Sequence, residues 1–186
     1  MDAAADTAPE GYRLSGRKIA VLNGHCADHF IVSANTQEGL GLFIVDAAAP
    51  GVQVEPFVAL DGSRGALLAF SQLALDSTAL LGKPGDTGAL EAAMDATIVA
   101  MGAESLGAMQ ALLDATVEYT QTRQQFGQPI SRFQVLQHRM ADMYMKVEET
   151  RSLLFNAAIA CDSNAKARAL ECAALKVKLA EAGRFV

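Results

Sequence analysis

The chain has 186 residues, 51% of them apolar, a formal net charge of -6 and three cysteines. That is enough to bury a core in one or two domains, and an acidic balance speaks against a general nucleic-acid surface, which needs clustered Lys and Arg. Cys26, Cys161 and Cys172 are too few and too scattered for a disulfide framework, no CxxC pair suggests zinc, and no run approaches the roughly 20 uninterrupted apolar residues of a membrane-spanning helix.

The start, Met1-Asp2-Ala3-Ala4-Ala5-Asp6, lacks the basic and apolar regions of a signal peptide, so a cytoplasmic protein without membrane or nucleic-acid partners is expected. From about Tyr12 to Leu75 the residues come in short β-branched or aromatic runs: Ile19 to Leu22, Phe30 to Ser33, Leu42 to Val45 and Val52 to Val58. Gly, Asn, Asp and Pro separate them, which is the pattern of strands and turns. Asn23 to Asp28 joins the first pair as a longer loop, and Gly39 and Gly41 mark a hairpin. One antiparallel sheet is predicted. The segment Leu81-Gly82-Lys83-Pro84-Gly85-Asp86-Thr87-Gly88 breaks both periodicities and divides the chain into 1–82 and 83–186.

Helical spacing follows. Met94, Ile98, Met101, Met109, Leu112, Leu113, Thr116 and Tyr119 outline the buried face of a first helix ending near Arg123, ahead of Gly127 and Pro129. Phe133, Leu136, Met140, Met143, Val147, Thr150 and Leu154 recur three and four apart on a second, with the regularity of a bundle seam. A third runs from about Ala165 through Arg184-Phe185-Val186 with no stop signal, and the sheet region also begins abruptly. The expected fold class is therefore α+β: an antiparallel β-domain followed by a C-terminal helical-bundle domain, both incomplete, with flanking segments outside this chain.

Residue chemistry alone points weakly. There is no Ser/His/Asp arrangement, HExxH, P-loop or strand-to-helix GxGxxG. His25 and His29 flank Cys26 and Asp28, but a mixed polar stretch between strands reads more simply as a loop than as a metal site. His138 reads as a surface histidine and the Met stripe as adaptable core. Arg123 leaves two readings open: it satisfies free carbonyls at the helix C-terminus, or its planar fork reaches outward to a phosphate.

The run Tyr119-Thr120-Gln121-Thr122-Arg123-Gln124-Gln125-Phe126-Gly127-Gln128-Pro129-Ile130, then Phe133-Gln134, Gln137 and Met140-Ala141-Asp142-Met143, closely resembles the helix-loop-helix signature of acyl-CoA dehydrogenases. Gly11-Tyr12-Arg13-Leu14-Ser15-Gly16-Arg17-Lys18, Asn23-Gly24 and Ala27-Asp28 resemble that family's β-domain, and Leu81-Gly82 its turn into the helical domain. The resemblance covers nearly the whole chain. It implies the rear part of the middle β-domain in 1–82 and the first helices of the C-terminal domain in 83–186. It also implies FAD-dependent α,β-dehydrogenation of an acyl-CoA thioester, in an enzyme of fatty acid metabolism. By position Arg123 and Gln134, with Gln125 and Phe126 as secondary contacts, would bind the FAD of a neighbouring subunit through its pyrophosphate and adenosine. A homo- or hetero-oligomer (dimer or tetramer) is implied, with an electron-accepting flavoprotein as a candidate acceptor.

The chain departs from the family pattern in two places. The W-x-[ST] motif that contacts the flavin ring is replaced by Ala20, Val21 and Leu22, and the arginine of Asp-x-x-Arg by Ile98 after Asp95. These departures are similar to those of a divergent branch that includes pimeloyl-CoA dehydrogenase small subunits and some steroid-side-chain dehydrogenases. A minority of the family places its catalytic Glu where Thr97 stands, and threonine is no base at neutral pH. Glu91 and Glu104 fall elsewhere, so no catalytic base and no metal ligand is assigned in this chain. The alternative expectation is a non-catalytic subunit that completes a partner's FAD site.

Overall fold

Short apolar runs whose alternate side chains point to opposite faces turn the first part of the chain into a sheet with one buried face. In the computed structural model, which describes residues 3–163 and 165–186, the strands are β1 (Ala3–Ala8), β2 (Gly11–Leu22), β3 (His29–Thr36), β4 (Gly39–Asp46), β5 (Val52–Val58), β6 (Arg64–Asp76) and β7 (Leu80–Leu81). Met1, Asp2 and Asn164 lie outside the described residues, and with them the start of the segment read above for a signal peptide. The sheet order is β5-β6-β2-β1-β3-β4-β7. All pairings are antiparallel except β1 with β3, which is parallel through Ala4 and Asn35. That pairing corrects the expectation of a purely antiparallel sheet. The Ala-rich β1 has little strand propensity of its own, and its six-residue register against Gly11–Gly16 of β2 is what fixes it as a strand.

Along β3, Phe30, Val32 and Ala34 are buried while Ile31 faces out; along β4, Phe43 and Val45 are buried. Leu14, Leu68, Phe70 and Leu73 complete this core, and Tyr12 meets Phe43 edge-on at 5.0 Å. Phe70 and Leu73 share a face although three apart. A bulge at Gln72, in the left-handed region at φ 50, absorbs one residue between the pairs Gly16–Phe70 and Leu14–Leu73. Ser15 Oγ accepts from the Gln72 backbone N–H at 3.2 Å and from its Nε2 at 2.9 Å, which holds the bulge.

The chain divides into two compact units, Met1–Thr87 and Gly88–Val186. The Gly/Pro segment beyond Gly82 stays with the sheet: the Gly85 N–H donates to Leu40 O at 2.9 Å, and a Cβ at Gly39 would lie 2.9 Å from Gly85 Cα. Glycine is required there twice over, since Gly39 also sits at φ +121.

The second unit is built on three helices, α1 (Gly88–Thr122), α2 (Gln134–Ser163) and α3 (Ala165–Phe185). On α2, Met143, Val147 and Thr150 are buried and Leu136, Met140 and Leu154 half-buried, as their spacing predicts. On α1 the buried face is Gly102, Leu106, Met109, Leu113 and Thr120, whereas Met94, Met101, Leu112 and Tyr119 are exposed. Both sets have helical spacing; the apolar residues go nearly all round α1, so periodicity could not choose between them. Gly102 decides it, because a Cβ there would stand 3.0 Å from Leu175 of α3. By length and composition α1 could also cross a membrane, with a best stretch of mean hydropathy 1.3. The core helix of a bundle has the same composition, and Leu106, Met109 and Leu113 pack here with Met143 and Val147 of α2.

Candidate cofactor-binding site

The link between α1 and α2 is a small ordered structure. The Arg123 N–H donates to Tyr119 O at 2.9 Å, ending α1, and Arg123 O accepts from the Ile130 N–H at 2.9 Å, closing a loop. Within it β8 (Gln124–Gln125) pairs with β9 (Gln128–Pro129) as a two-residue hairpin. Its tip residues, Phe126 and Gly127, have φ of 54 and 78. Positive φ at both central positions is the requirement of the tight turn that favours Asn-Gly. A phenylalanine in the first of them is strained, because its Cβ crowds the backbone. The Phe126 ring is 90% exposed and is braced edge-on by Phe133 at 6.1 Å. Phe133 thus supports the hairpin and precedes α2, a correction to its placement on the bundle seam. A 3₁₀ turn over Ile130–Arg132 leads into α2, and Gln137 Nε2 donates to Ser131 O at 3.0 Å.

Arg123 is exposed, and among the described residues its guanidinium has no hydrogen bond or ion pair. Three other arginines of the unit are committed: Arg151 donates to Gln110 and Glu148, Arg168 to Asp95, and Arg139 lies 4.4 Å over the Phe185 ring; Arg132 and Arg184, like Arg123, show no such partner among the described residues. The reading in which the Arg123 side chain satisfies α1 carbonyls therefore fails. Gln125 and Gln134, the latter opening α2, are exposed as well. One hairpin thus presents a free planar cation, an aromatic face and amides, a donor set suited to a phosphate-bearing, ring-bearing ligand.

The sheet unit has its own concavity. β1 pairs with β2 only as far as Gly16, and touches β3 at Asn35, so the second half of β2 and the first half of β3 lack a described strand between them. The resulting cleft, about 470 Å³, is lined by Lys18 to Leu22 and His29 to Ser33, with Lys18 Nζ donating to Ser33 Oγ at 3.1 Å. Ile19, Leu22 and Ile31 stand 77%, 71% and 70% exposed around it. A second bulge in β2, with Ala20 at φ 54, turns this stretch. The positions of the missing W-x-[ST] motif are therefore apolar and irregular in backbone, and Ala20, Val21 and Leu22 offer a ring ligand no polar side chain.

On α1, Thr97 Oγ1 donates to Ala93 O at 2.8 Å and is committed within its helix. Asp95 accepts from Arg168 Nε of α3 at 2.8 Å, both side chains being largely buried. No group of three metal-ligating side chains occurs among the described residues.

Residues 87–186 match the family model of the acyl-CoA dehydrogenase C-terminal domain, and residues 1–77 that of the middle domain. The chain belongs to the acyl-CoA dehydrogenase family. Isovaleryl-CoA dehydrogenase of Oryza sativa subsp. japonica is 31% identical over 97% of this chain and 46% of its own length. A structure of PigA with FAD and proline superposes at a TM-score of 0.92, with 29% identity over 100% of this chain and 50% of that one. The ChsE4-ChsE5 complex from Mycobacterium tuberculosis gives a TM-score of 0.74 at 29% identity over 100% and 48%. The chain spans about half the length of the family members it matches.

Reading along the chain singled out Arg123, Gln125, Phe126 and Gln134 as candidates through their motif. It could not find the braces behind them. The edge contact of Phe126 with Phe133, the Lys18–Ser33 bond and the Asp95–Arg168 pair join residues whose relation depends on how the chain folds back, and only the first lies within one motif.

Proposed function

We propose that this chain is the middle-to-C-terminal portion of a flavoenzyme that dehydrogenates an acyl thioester between its α and β carbons. We propose further that its α1–α2 hairpin holds the pyrophosphate and adenosine end of FAD bound mainly by a neighbouring subunit. The observation that carries the second reading is the unpaired Arg123 guanidinium beside a strained, outward-facing Phe126. A pyrophosphate wants a bidentate cation, and the exposed amides of Gln125 and Gln134 add donors and acceptors for the adenosine. FAD, when bound, accepts the hydride from Cβ. The residues of this chain bind and orient, and no catalytic base is assigned among them.

The two units differ in what they offer a flavin nucleotide. The hairpin of the helical unit suits a phosphate end, whereas the cleft of the sheet unit around Ala20 and Ile31 has largely apolar walls. That difference favours a second reading, in which this chain is the non-catalytic member of a pair of unlike subunits. Ile98 and the apolar stretch Ala20-Val21-Leu22 support it, as does likeness to the ChsE4-ChsE5 complex. In either reading the chain works in an oligomer, with an acyl-CoA as substrate of the assembly and a flavoprotein as the candidate electron acceptor.

The test is the visible spectrum of the purified full-length protein. Bound oxidised flavin that bleaches on anaerobic addition of acyl-CoAs supports the dehydrogenase; absence of flavin favours the partner subunit. Arg123→Ala should weaken flavin retention about 10- to 100-fold, the usual worth of a charge-assisted contact, with the fold unchanged. Equal flavin content in variant and parent removes the role assigned to Arg123.

A further inference from the structure

We propose that Cys161 and Cys172 form a peroxide-responsive dithiol that staples α2 to α3 as a reversible disulfide. The two sulfurs lie 3.8 Å apart, on different helices, with Cys161 in the last turn of α2 and Cys172 in the second turn of α3. A disulfide needs them roughly 1.8 Å closer. Cys161 lies in the last turn of α2, where the carbonyls have no intrahelical partners and the backbone yields most easily, so a small rotation of that turn supplies the movement. The Cys172 thiol is shared in the reduced state between Cys161 and the Asp95 carbonyl, also at 3.8 Å, so turning it towards Cys161 gives up one weak contact.

The pair is asymmetric in the way a sensing dithiol requires. Cys161 is half-buried and reachable; Cys172 is fully buried. Burial, then the hydrogen bond from Cys161, pushes the Cys172 thiol up to about 11, so it stays protonated and unreactive towards an oxidant at neutral pH. Hydrogen peroxide is the co-reactant. The Cys161 sulfur, giving up its proton, attacks one peroxide oxygen; the O–O bond breaks, leaving a sulfenic acid and one water. The Cys172 thiol, which meets no free oxidant, then attacks the electrophilic Cys161 sulfur as its proton passes to the departing hydroxyl. The S–S bond forms, the S–O bond breaks, and the hydroxyl leaves as a second water. Two thiols are oxidised by two electrons and one peroxide is reduced to two waters. Because Cys172 packs with Ala157, Leu175 and Asp95 of the three-helix core, the crosslink fixes α3 against α2 where α1 is also held.

The experiment treats the full-length protein with hydrogen peroxide, then compares tryptic peptides and melting temperature with and without dithiothreitol. Lys166 and Arg168 lie between the two cysteines, so trypsin separates them and a linked peptide reports the bond directly. The expected result is a linked Cys161–Cys172 peptide, removed by reductant, and a melting temperature higher by about 5 °C in the oxidised form. Cys161→Ser and Cys161→Ala, which leave the buried Cys172 in place, should abolish both. Peroxide that modifies Cys26 or over-oxidises Cys161 while no linked peptide forms overturns the proposal. So does a linked peptide with no rise in melting temperature.

Discussion

The two units solve the burial problem differently. The sheet satisfies its backbone through strand pairing and closes one core in which Leu14, Val32, Phe43 and Val45 are essentially inaccessible. The three helices satisfy their backbones internally and bury only one stripe each. Met94, Met101, Tyr119, Tyr144, Phe155, Ile159 and Val177 are left outside. The sheet leaves Ile19, Leu22 and Ile31 open around its cleft, whereas three helices, with fewer mutual faces than apolar faces, leave apolar side chains out along their whole length. The helical unit is accordingly where contributions from elsewhere in an assembly would matter.

That contrast can be broken by substitution. Phe43→Ala should cost about 3–5 kcal/mol, measured by denaturant unfolding, because the sheet core cannot collapse around so large a loss. An equal truncation on the outer face of the helices, Phe155→Ala, should cost well under 1 kcal/mol in the isolated chain; a cost matching Phe43 would mean that the helical unit is as closed as the sheet. Between these lies Arg168→Ala, which strands a largely buried Asp95 and should cost about 1–3 kcal/mol. Asp95→Asn with Arg168→Gln, replacing charges by amides that can still pair, should recover most of it. If the double variant is no better than the single, the pair does not tie α1 to α3.

The smallest effect lies on the helical surface. Glu149 is held below the ordinary carboxylate range by its hydrogen bond from Lys178, and Glu181 by its bond from Lys146. Lys178 is raised in turn, chiefly by Glu149. The carboxylate contribution is fully present above the usual Glu value and lost as pH falls through the depressed folded values. The Lys178 contribution is present below the usual Lys value and lost as pH rises through the raised one. The two carboxylates are exposed and Lys178 is half-buried, so Lys178→Met should flatten the shallow acid limb of a stability-versus-pH curve, and 1 M salt should do the same.

Much of this was legible along the chain because it is local. Short β-branched and aromatic runs bounded by turn residues gave β3, β4 and β5; the three-and-four spacing of Met143, Val147 and Thr150 gave the face of α2; the Arg123 to Gln134 motif gave the candidate site and the family. Propensity failed for β1, whose Ala and Asp residues favour no strand until β2 offers its edge. It also gave no warning of the bulges at Ala20 and Gln72, which carry no glycine. Periodicity failed for α1, where apolar residues on every side left the buried face undefined until Gly102 met Leu175.

What the sequence determined by itself is therefore whatever depends on neighbours within a turn or a strand: element type, hairpin position and a signature of contiguous residues. Tertiary structure alone decided which α1 face is buried, that Arg168 answers Asp95 from 73 positions away, that Phe133 props a strained Phe126, and that two cysteines on different helices meet. Those outcomes depend on shape and on the cost of leaving charge or backbone unpartnered in a packed interior, and a one-dimensional pattern does not record either.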